Sequence, residues 1–185
     1  MLVIFGLGNP GPKYDGTRHN AGVDTLTALA AFFQVTLRKR CFCNYRSALV
    51  TLEGDKKVKL VFPLTYMNNS GEAVKGCVKE GDEVLVICDQ MDLPPGKIRL
   101  RLKGSSSAGH NGLKSMMANL PDGFMRMYIG VGHPSPGVSV PDHVLSSFSE
   151  EESVLVKEAE KKAVSCIVDL INGMDRNRLL QEANS

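Results

Sequence analysis

Short runs of apolar and β-branched residues recur along the chain and predict β-strands. Each run is too short for a typical helix and is bounded by glycine, proline or polar residues. The predicted strands cover residues 2–7, 46–52, 58–62, 84–88, 97–102 and 127–131.

Other stretches have apolar residues three or four positions apart, the spacing of helices. They predict helices at residues 21–33, 71–79, 112–119 and 150–172. Ser149 and Glu152 form a capping-box pattern at the start of the last helix, and Gly173 marks its end. An apolar stripe on this helix is expected to pack on the sheet. The stripe consists of Leu155, Ala159, Ala163, Cys166, Ile167 and Leu170.

Strands that alternate with helices predict an α/β fold. We expect a single domain over residues 1–185, with a central mixed β-sheet flanked by helices. In such sheets ligands bind beyond the carboxyl ends of the strands. The loops at residues 8–20, 63–70, 89–96 and 104–112 follow predicted strands and are the expected site.

Composition narrows the class of protein. The apolar start lacks a basic region, and no apolar run approaches the roughly 20 residues of a membrane span, so we expect neither a signal peptide nor a membrane contact. Five cysteines form no paired framework, which favours a reducing cytoplasm. The net charge of +2 does not by itself indicate a nucleic-acid partner.

Charge distribution is more informative than net charge. Basic and apolar residues alternate along residues 97–103, so a strand there would place its cations on one face. These cations are Lys97, Arg99, Arg101 and Lys103. The face suits a phosphate backbone, and it equally suits an ordinary solvated strand.

Glycines at positions 6, 8 and 11 match the G-x-G-x-x-G fingerprint of dinucleotide-binding proteins. That fingerprint requires a helix that opens within the glycines, whereas Pro10, Pro12 and Gly16 extend an irregular loop to about Asn20. Dinucleotide binding is therefore disfavoured.

The four strand-end loops together deliver the groups that hydrolysis needs. A neutral histidine can take a proton from water, a carboxylate can orient that histidine, and asparagine amides can donate to an oxyanion. The candidates are Asn9, His19, Asn20, Asn68, Asn69, Asp89, Asp92, His110 and Asn111. Convergence of the loops at one sheet edge favours a hydrolase.

Nucleophilic and metal-dependent alternatives have weaker patterns. The serines at 105–107 are not a G-x-S-x-G elbow, although they could cradle a phosphate. Cys88 beside Asp89 could act as a nucleophile, but buried apolar cysteines are commoner. No zinc spacing is present among the cysteines and histidines, so we expect no metal.

Five ordered motif regions carry a family resemblance. They read GLGNPG at 6–11 with TRHNAG at 17–22, YMNNSG at 66–71, DQMDLPPG at 89–96, GHNGLKS at 109–115 and RMYIGVGHP at 126–134. Together they resemble the bacterial peptidyl-tRNA hydrolases over nearly the whole chain. The resemblance implies an enzyme that cleaves the ester between a peptide and tRNA, works as a monomer and uses no cofactor.

The resemblance also implies roles for individual residues. His19 is the expected general base, Asp89 the group that orients it, and Asn9 the residue that distinguishes peptidyl-tRNA from aminoacyl-tRNA. Asp92 is expected to be structural. Contacts to the tRNA end or peptide, or to the cleft wall, are expected from Tyr14, Tyr66, Met67, Asn68 and Asn111. Candidate phosphate contacts are Arg99, Arg101, Lys103, Lys114 and Arg126.

This chain departs from the family pattern at a few positions. Ala108 replaces one of two glycines that commonly precede His110, and Gln90-Met91 replaces an acidic residue and a leucine. No expected catalytic position is lost. The alternative is a noncatalytic, splicing-factor-like RNA-binding protein on the same scaffold, and retention of His19, Asp89, Asn9 and Asn68 argues against it.

Overall fold

The computed structural model describes residues 1–104 and 106–185 and contains a seven-stranded mixed sheet. The strands are β1 (Leu2–Gly6), β2 (Arg38–Lys39), β3 (Tyr45–Thr51), β4 (Lys57–Pro63), β5 (Glu83–Gln90), β6 (Ile98–Arg101) and β7 (Met125–Gly130). Their order in the sheet is β2-β3-β4-β1-β5-β7-β6. The sequence predicted all of them except the two-residue edge strand β2.

The α-helices of the described residues are α1 (Ala21–Phe32), α2 (Val74–Cys77), α3 (Asn111–Asn119), α4 (Val140–Val144), α5 (Glu150–Ile171) and α6 (Arg176–Asn184). Helices α4 and α6 were not predicted. In place of the predicted helix at 71–79, the chain forms a 3-10 helix at Met67–Ala73 followed by the short α2. The predicted capping box at the start of α5 is confirmed, and Gly173 follows its end with φ +87°.

Strand direction is mixed, as expected. Strand β1 is parallel to β4 and β5, and β5 is parallel to β7, whereas β2, β3 and β6 run antiparallel to their neighbours. The carboxyl ends of β1, β4, β5 and β7 therefore meet at one edge of the sheet, which we call the carboxyl edge.

Helices cover both faces of the sheet. One hydrophobic cluster lies between the sheet and helices α1, α5 and α6, and the other between the sheet and helices α2 and α3. On α5 the buried stripe includes Val156, whereas the predicted Leu155 is exposed. The prediction for Leu155 was wrong because Val156 occupies the packed face in the first turns of α5, whereas Ala159, Ala163, Cys166 and Ile167 are buried as predicted. No helix of the described residues is long and apolar enough to cross a membrane.

The antiparallel direction of β6 corrects the expectation that the loop at residues 104–112 begins at the carboxyl edge. Ile98 pairs with Ile129 near the carboxyl edge, but Arg101 pairs with Arg126 near the opposite edge. The loop after β6 therefore starts far from the expected site and has to return along the sheet to bring His110 back. The segment at residues 102–110 is long enough to run back along β6 to the carboxyl edge, since a chain spans about 3.3 Å per residue and β6 covers only four residues.

Candidate active site

A cleft of about 630 Å³ opens at the carboxyl edge. The loops that follow β1, β4, β5 and β6 all contribute to its wall, as the sequence predicted. It is lined by every residue to which the family resemblance assigned catalysis, substrate discrimination or a contact with the tRNA end, the peptide or the cleft wall. These residues are Asn9, Tyr14, His19, Tyr66, Met67, Asn68, Asp89 and Asn111.

Close packing between α1 and the sheet sets the position of His19. The loop after β1 ends in a 3-10 helix at Arg18–Asn20, and α1 starts directly after it. A Cβ added to Gly22 in the first turn of α1 would lie 2.4 Å from the carbonyl oxygen of Ile87. Any side chain there would push α1 and His19 away from β5, the strand that carries Asp89.

Asp89 hydrogen-bonds two histidines through the same oxygen. Its Oδ1 lies 2.8 Å from Nδ1 of His19 and 2.9 Å from Nε2 of His110. His110 is also the N-cap of α3, because its Nδ1 accepts a hydrogen bond from the backbone N–H of Leu113 at 3.2 Å. Nδ1 of a neutral His110 is thus the acceptor, and its Nε2–H donates to Asp89.

The carboxylate of Asp89 is only 3% exposed. Burial alone would raise its pKa, but the charges and hydrogen bonds of His110 and His19 outweigh burial and hold the pKa well below its usual range. Asp89 therefore stays ionised as the pH falls through the range in which histidines titrate. A permanent negative charge next to His19 favours the protonated ring that forms when His19 takes a proton.

His19, Asp89 and His110 also form the one cluster of metal-binding side chains in the described part of the chain. Donor atoms around a tetrahedral zinc ion lie roughly 3.3 Å apart, given metal–ligand bonds near 2.0 Å. The two contacts to Asp89 are shorter, at 2.8 and 2.9 Å, and match charge-assisted hydrogen bonds. The arrangement fits a hydrogen-bonded triad better than a metal site.

Asn9 is held in the cleft by three hydrogen bonds. Its backbone N–H donates to Oδ1 of Asn20 at 2.8 Å, and Nδ2 of Asn20 donates to the Asn9 carbonyl at 3.1 Å. The side-chain Oδ1 of Asn9 accepts from the backbone N–H of Met67 at 2.8 Å. Nδ2 of Asn9 is therefore left as a free donor, without an acceptor among the described residues.

Aromatic and amide groups form the rim of the cleft. The rings of Tyr14 and Tyr66 meet edge to face with centroids 6.3 Å apart, and Tyr66 is largely exposed. Asn68 and Asn111 are exposed, and Met67 is buried in the wall. Asp92 lies outside the lining and pairs with the exposed His133 at 3.0 Å, and its structural role stays a prediction.

The cysteine alternative does not fit the geometry. Cys88 is completely buried and belongs to the hydrophobic cluster under α2 and α3 rather than to the cleft. Burial, together with the charge of Asp89, raises the pKa of the Cys88 thiol well above its usual value. A thiol that neither ionises nor reaches the cleft is not a nucleophile.

Arg126 is 1% exposed, so it does not fit its expected role as a phosphate contact. Its guanidinium donates to the backbone carbonyls of Gly104 and Ser106 and packs on the ring of Phe124. Arg126 thereby holds the loop that returns from β6 towards His110. Of the serine run at 105–107, Ser105 lies outside the described residues.

The other predicted cations are accessible. Lys97, Arg101, Lys103 and Lys114 are exposed, and Arg99 is half-buried. Ile98 and Leu100 are buried between them, which confirms the predicted alternation along β6. Arg99 lies nearer the carboxyl edge than Arg101 does, because β6 runs away from that edge.

One wall of the cleft was missed at the sequence level. It comes from α4 and the residue that follows it, and consists of Val140, Pro141, Val144 and Leu145. The sequence does contain a helix-start pattern here, a serine at position 139 followed by Pro141. In the structure Oγ of Ser139 accepts a hydrogen bond from the backbone N–H of Asp142 and caps α4.

Arg18, next to His19, was also missed. It binds Glu152 at 2.6 Å and Ser146 Oγ at 2.8 Å. This network ties the His19 turn to the start of α5 and to the segment behind α4. Nothing in the sequence around Arg18 indicates partners more than 120 residues away.

The departure at Ala108 has a structural consequence. Ala108 has φ +48° and Gly109 has φ +81°, so both occupy the left-handed region that favours glycine. A glycine at position 108 would adopt this conformation without the steric cost of a Cβ, about 1 kcal/mol. The substitution therefore introduces strain into the loop that carries His110 and Asn111.

The chain matches the family model described as Peptidyl-tRNA hydrolase over residues 3–185. It is 45% identical over 170 residues to the peptidyl-tRNA hydrolase of Bacillus subtilis (strain 168), covering 89% of this chain and 88% of the relative. It is 47% identical over 169 residues to that of Geobacillus kaustophilus (strain HTA426), covering 88% and 89%. The crystal structure of peptidyl-tRNA hydrolase from Acinetobacter baumannii is similar, with a TM-score of 0.89, 34% identity and coverage of 100% and 95%.

Proposed function

The chain belongs to the peptidyl-tRNA hydrolase family, and from this membership we propose how it hydrolyses the ester between a peptide and the 3′-terminal ribose of tRNA. Nε2 of His19 takes a proton from a water molecule, and the water oxygen attacks the ester carbonyl carbon. The bond from that carbon to the ribose oxygen then breaks, and the proton passes from His19 to the ribose oxygen.

The observation that carries this proposal is the 2.8 Å hydrogen bond between Nδ1 of His19 and Asp89 inside the cleft. With Nδ1–H donating to Asp89, Nε2 carries the lone pair that a base needs. His110 is not suited to this role, because one ring nitrogen accepts from Leu113 and the other donates to Asp89.

Side-chain amides complete the proposed mechanism. Negative charge develops on the ester oxygen during attack, and amide N–H groups stabilise it without bringing a charge of their own. Asn68 and Asn111 come from two different loops of the cleft and share the tasks of holding this oxygen and the attacking water. No metal or cofactor takes part in the proposed reaction.

The direct test is the release of an N-acetylated aminoacyl group from tRNA by the purified protein. We expect fast release from this substrate and slow release from the same tRNA with a free amino group. A noncatalytic RNA-binding protein on this scaffold would bind tRNA and release neither, so that outcome would refute the hydrolase.

We propose that Asn9 recognises the acylated amino group of the substrate. Its free Nδ2 donates to the carbonyl of an acylated amino group, whereas an ammonium group cannot accept that hydrogen bond. We expect Asn9→Asp to keep the Met67 contact, to present a negative oxygen instead of a donor, and so to narrow the rate ratio between N-acetylated and free substrates. Single-turnover rates on both substrates measure this ratio.

Asn69→Asp is the matched control, because Asn69 is exposed and outside the cleft lining. It should leave the rate ratio unchanged. A wild-type ratio in Asn9→Asp would show that Asn9 does not read the amino end.

The basic face of β6 is proposed to hold tRNA phosphates. Replacing Arg99 and Arg101 by alanine should weaken tRNA binding and flatten the plot of log affinity against log salt by about one unit per lost phosphate contact. Cleavage of a short substrate without the tRNA body should not change.

Alanine at Lys157 and Lys161, two exposed cations on α5, is the charge control. Equal salt slopes in all three proteins would make β6 an ordinary solvated strand.

We also propose that the enzyme works as a monomer in the cytoplasm. All the side chains of the cleft come from one chain, so a second copy is not required. The five cysteines are free, as expected for a protein kept in a reducing compartment. Sedimentation of the purified protein with and without tRNA tests the oligomeric state.

A further inference from the structure

The turn between β2 and β3 exposes a phenylalanine completely. Phe42 is the most exposed of the large hydrophobic side chains in the described residues and has φ +62°. Exposure of the ring and a left-handed backbone both oppose stability at this position. Local features that oppose stability cluster at functional sites, so the turn calls for a functional explanation.

Positively charged residues lie on both sides of Phe42 in the sequence. The exposed cations Arg38, Lys39, Arg40 and Arg46 flank it, and no acidic residue occurs between Asp24 and Glu53. Lys39 is directly opposite Arg46 in the β2–β3 pair. Like charges in this position repel, and none of the four cations has a salt-bridge partner in the described part of the chain.

Protection of the sheet edge explains the cations of this turn but not its exposed aromatic ring. Charged residues on an edge strand discourage pairing with another chain, which accounts for the cations of β2. An exposed aromatic ring has the opposite effect, because it adds an apolar contact to the same edge. A ligand with negative charges and flat unpaired rings matches both features.

The turn lies at the same edge of the sheet as the cleft. Tyr45 at the start of β3 pairs with Pro63 at the carboxyl end of β4, and the N–H of Leu64 donates to the carbonyl of Asn44 at 2.7 Å. Three residues later, Met67 donates to Asn9 in the cleft. In the sheet order the turn lies on the side of the cleft opposite to β6.

We propose that Phe42, Arg38, Lys39, Arg40 and Arg46 form a second RNA-binding surface that takes an unpaired stretch of RNA. A base stacks on the ring of Phe42, and the cations bind the phosphates on either side of it. Stacking on an aromatic ring tolerates any base, so this surface binds without sequence preference. The surface is separate from the hydrolytic cleft and from the proposed phosphate contacts of β6.

The test is the affinity for a fluorescently labelled single-stranded RNA ten-mer, measured by anisotropy over a range of salt concentrations. Phe42→Leu keeps an apolar side chain but removes stacking, and should weaken binding by about fivefold to a hundredfold. Phe42→Trp should bind at least as well as the wild type. Phe32→Leu, at another exposed phenylalanine, should bind like the wild type.

The cations are tested in the same assay. Replacing Lys39 and Arg40 by alanine should lower the salt slope by about 0.7 per lost contact with a single strand. None of these variants should alter cleavage of an N-acetylaminoacyl ester of a short oligonucleotide. The binding assay does not depend on catalysis, so it tests the RNA-binding surface even if the proposed hydrolysis is wrong.

Three outcomes would overturn the proposal. The wild type could fail to bind the ten-mer, Phe42→Leu could bind it as tightly as the wild type, or Phe42 could instead control binding to vesicles that contain anionic lipids. The last outcome would assign the turn to a membrane surface.

Discussion

Replacing His19 by alanine should slow the release of N-acetylaminoacyl groups from tRNA by about a hundredfold to ten-thousandfold, the usual cost of losing a general base. The affinity for tRNA should stay near the wild-type value, because the exposed cations and the cleft rim are untouched. Single-turnover cleavage under saturating enzyme measures the chemical step, and anisotropy with uncharged tRNA measures binding.

His133→Ala is the matched control, since His133 is an exposed histidine outside the cleft lining, and its one ion pair within the described residues is with Asp92. It should cleave at the wild-type rate. Near-normal single-turnover cleavage by His19→Ala would remove His19 from the role of base and would require another group to activate water.

Asp89→Asn is expected to have the second largest effect, a loss smaller than that of His19→Ala. The amide keeps the shape of the carboxylate but no longer stabilises a protonated His19, and it can hydrogen-bond the wrong tautomer of the ring. Single-turnover rates for the wild type and Asp89→Asn at the same pH measure the loss.

Asp92→Asn is the control within the same motif, because Asp92 is exposed and does not line the cleft. Its rate should match that of the wild type. Thermal unfolding of both variants separates a folding defect from a catalytic one. If the folded Asp89→Asn variant cleaves at the wild-type rate, Asp89 neither orients His19 nor compensates its charge in the reaction.

Local sequence patterns determined most of the secondary structure. Buried strands such as β1 and β5 appear as short apolar runs because helices cover both faces of the sheet. The capping box of α5 was readable because its hydrogen bonds join residues three apart. These features depend on near neighbours in the chain, and near neighbours are what a sequence pattern records.

Elements without a strong local pattern were missed. Strand β2 has only two residues, both charged, and exists because it pairs with β3. Helices α4 and α6 start at Ser139 and Asp175, which cap them, but neither helix has a long apolar repeat. Distant elements hold α6 in place, because Leu179 and Ala183 are buried in the hydrophobic core and the side-chain amide of Asn184 makes two hydrogen bonds with the backbone of Leu100.

The sequence by itself predicted which loops bring polar side chains to the cleft, because motifs that follow predicted strands contain His19, Asp89 and the asparagines. Only the tertiary structure decided how they act together. Two histidines hydrogen-bond the same carboxylate oxygen of Asp89, and both ring nitrogens of His110 are engaged in hydrogen bonds. Arg126, which was expected to contact phosphate, is buried and supports a loop. These arrangements depend on distances between residues far apart in the chain, and such distances are set by packing rather than by any local pattern.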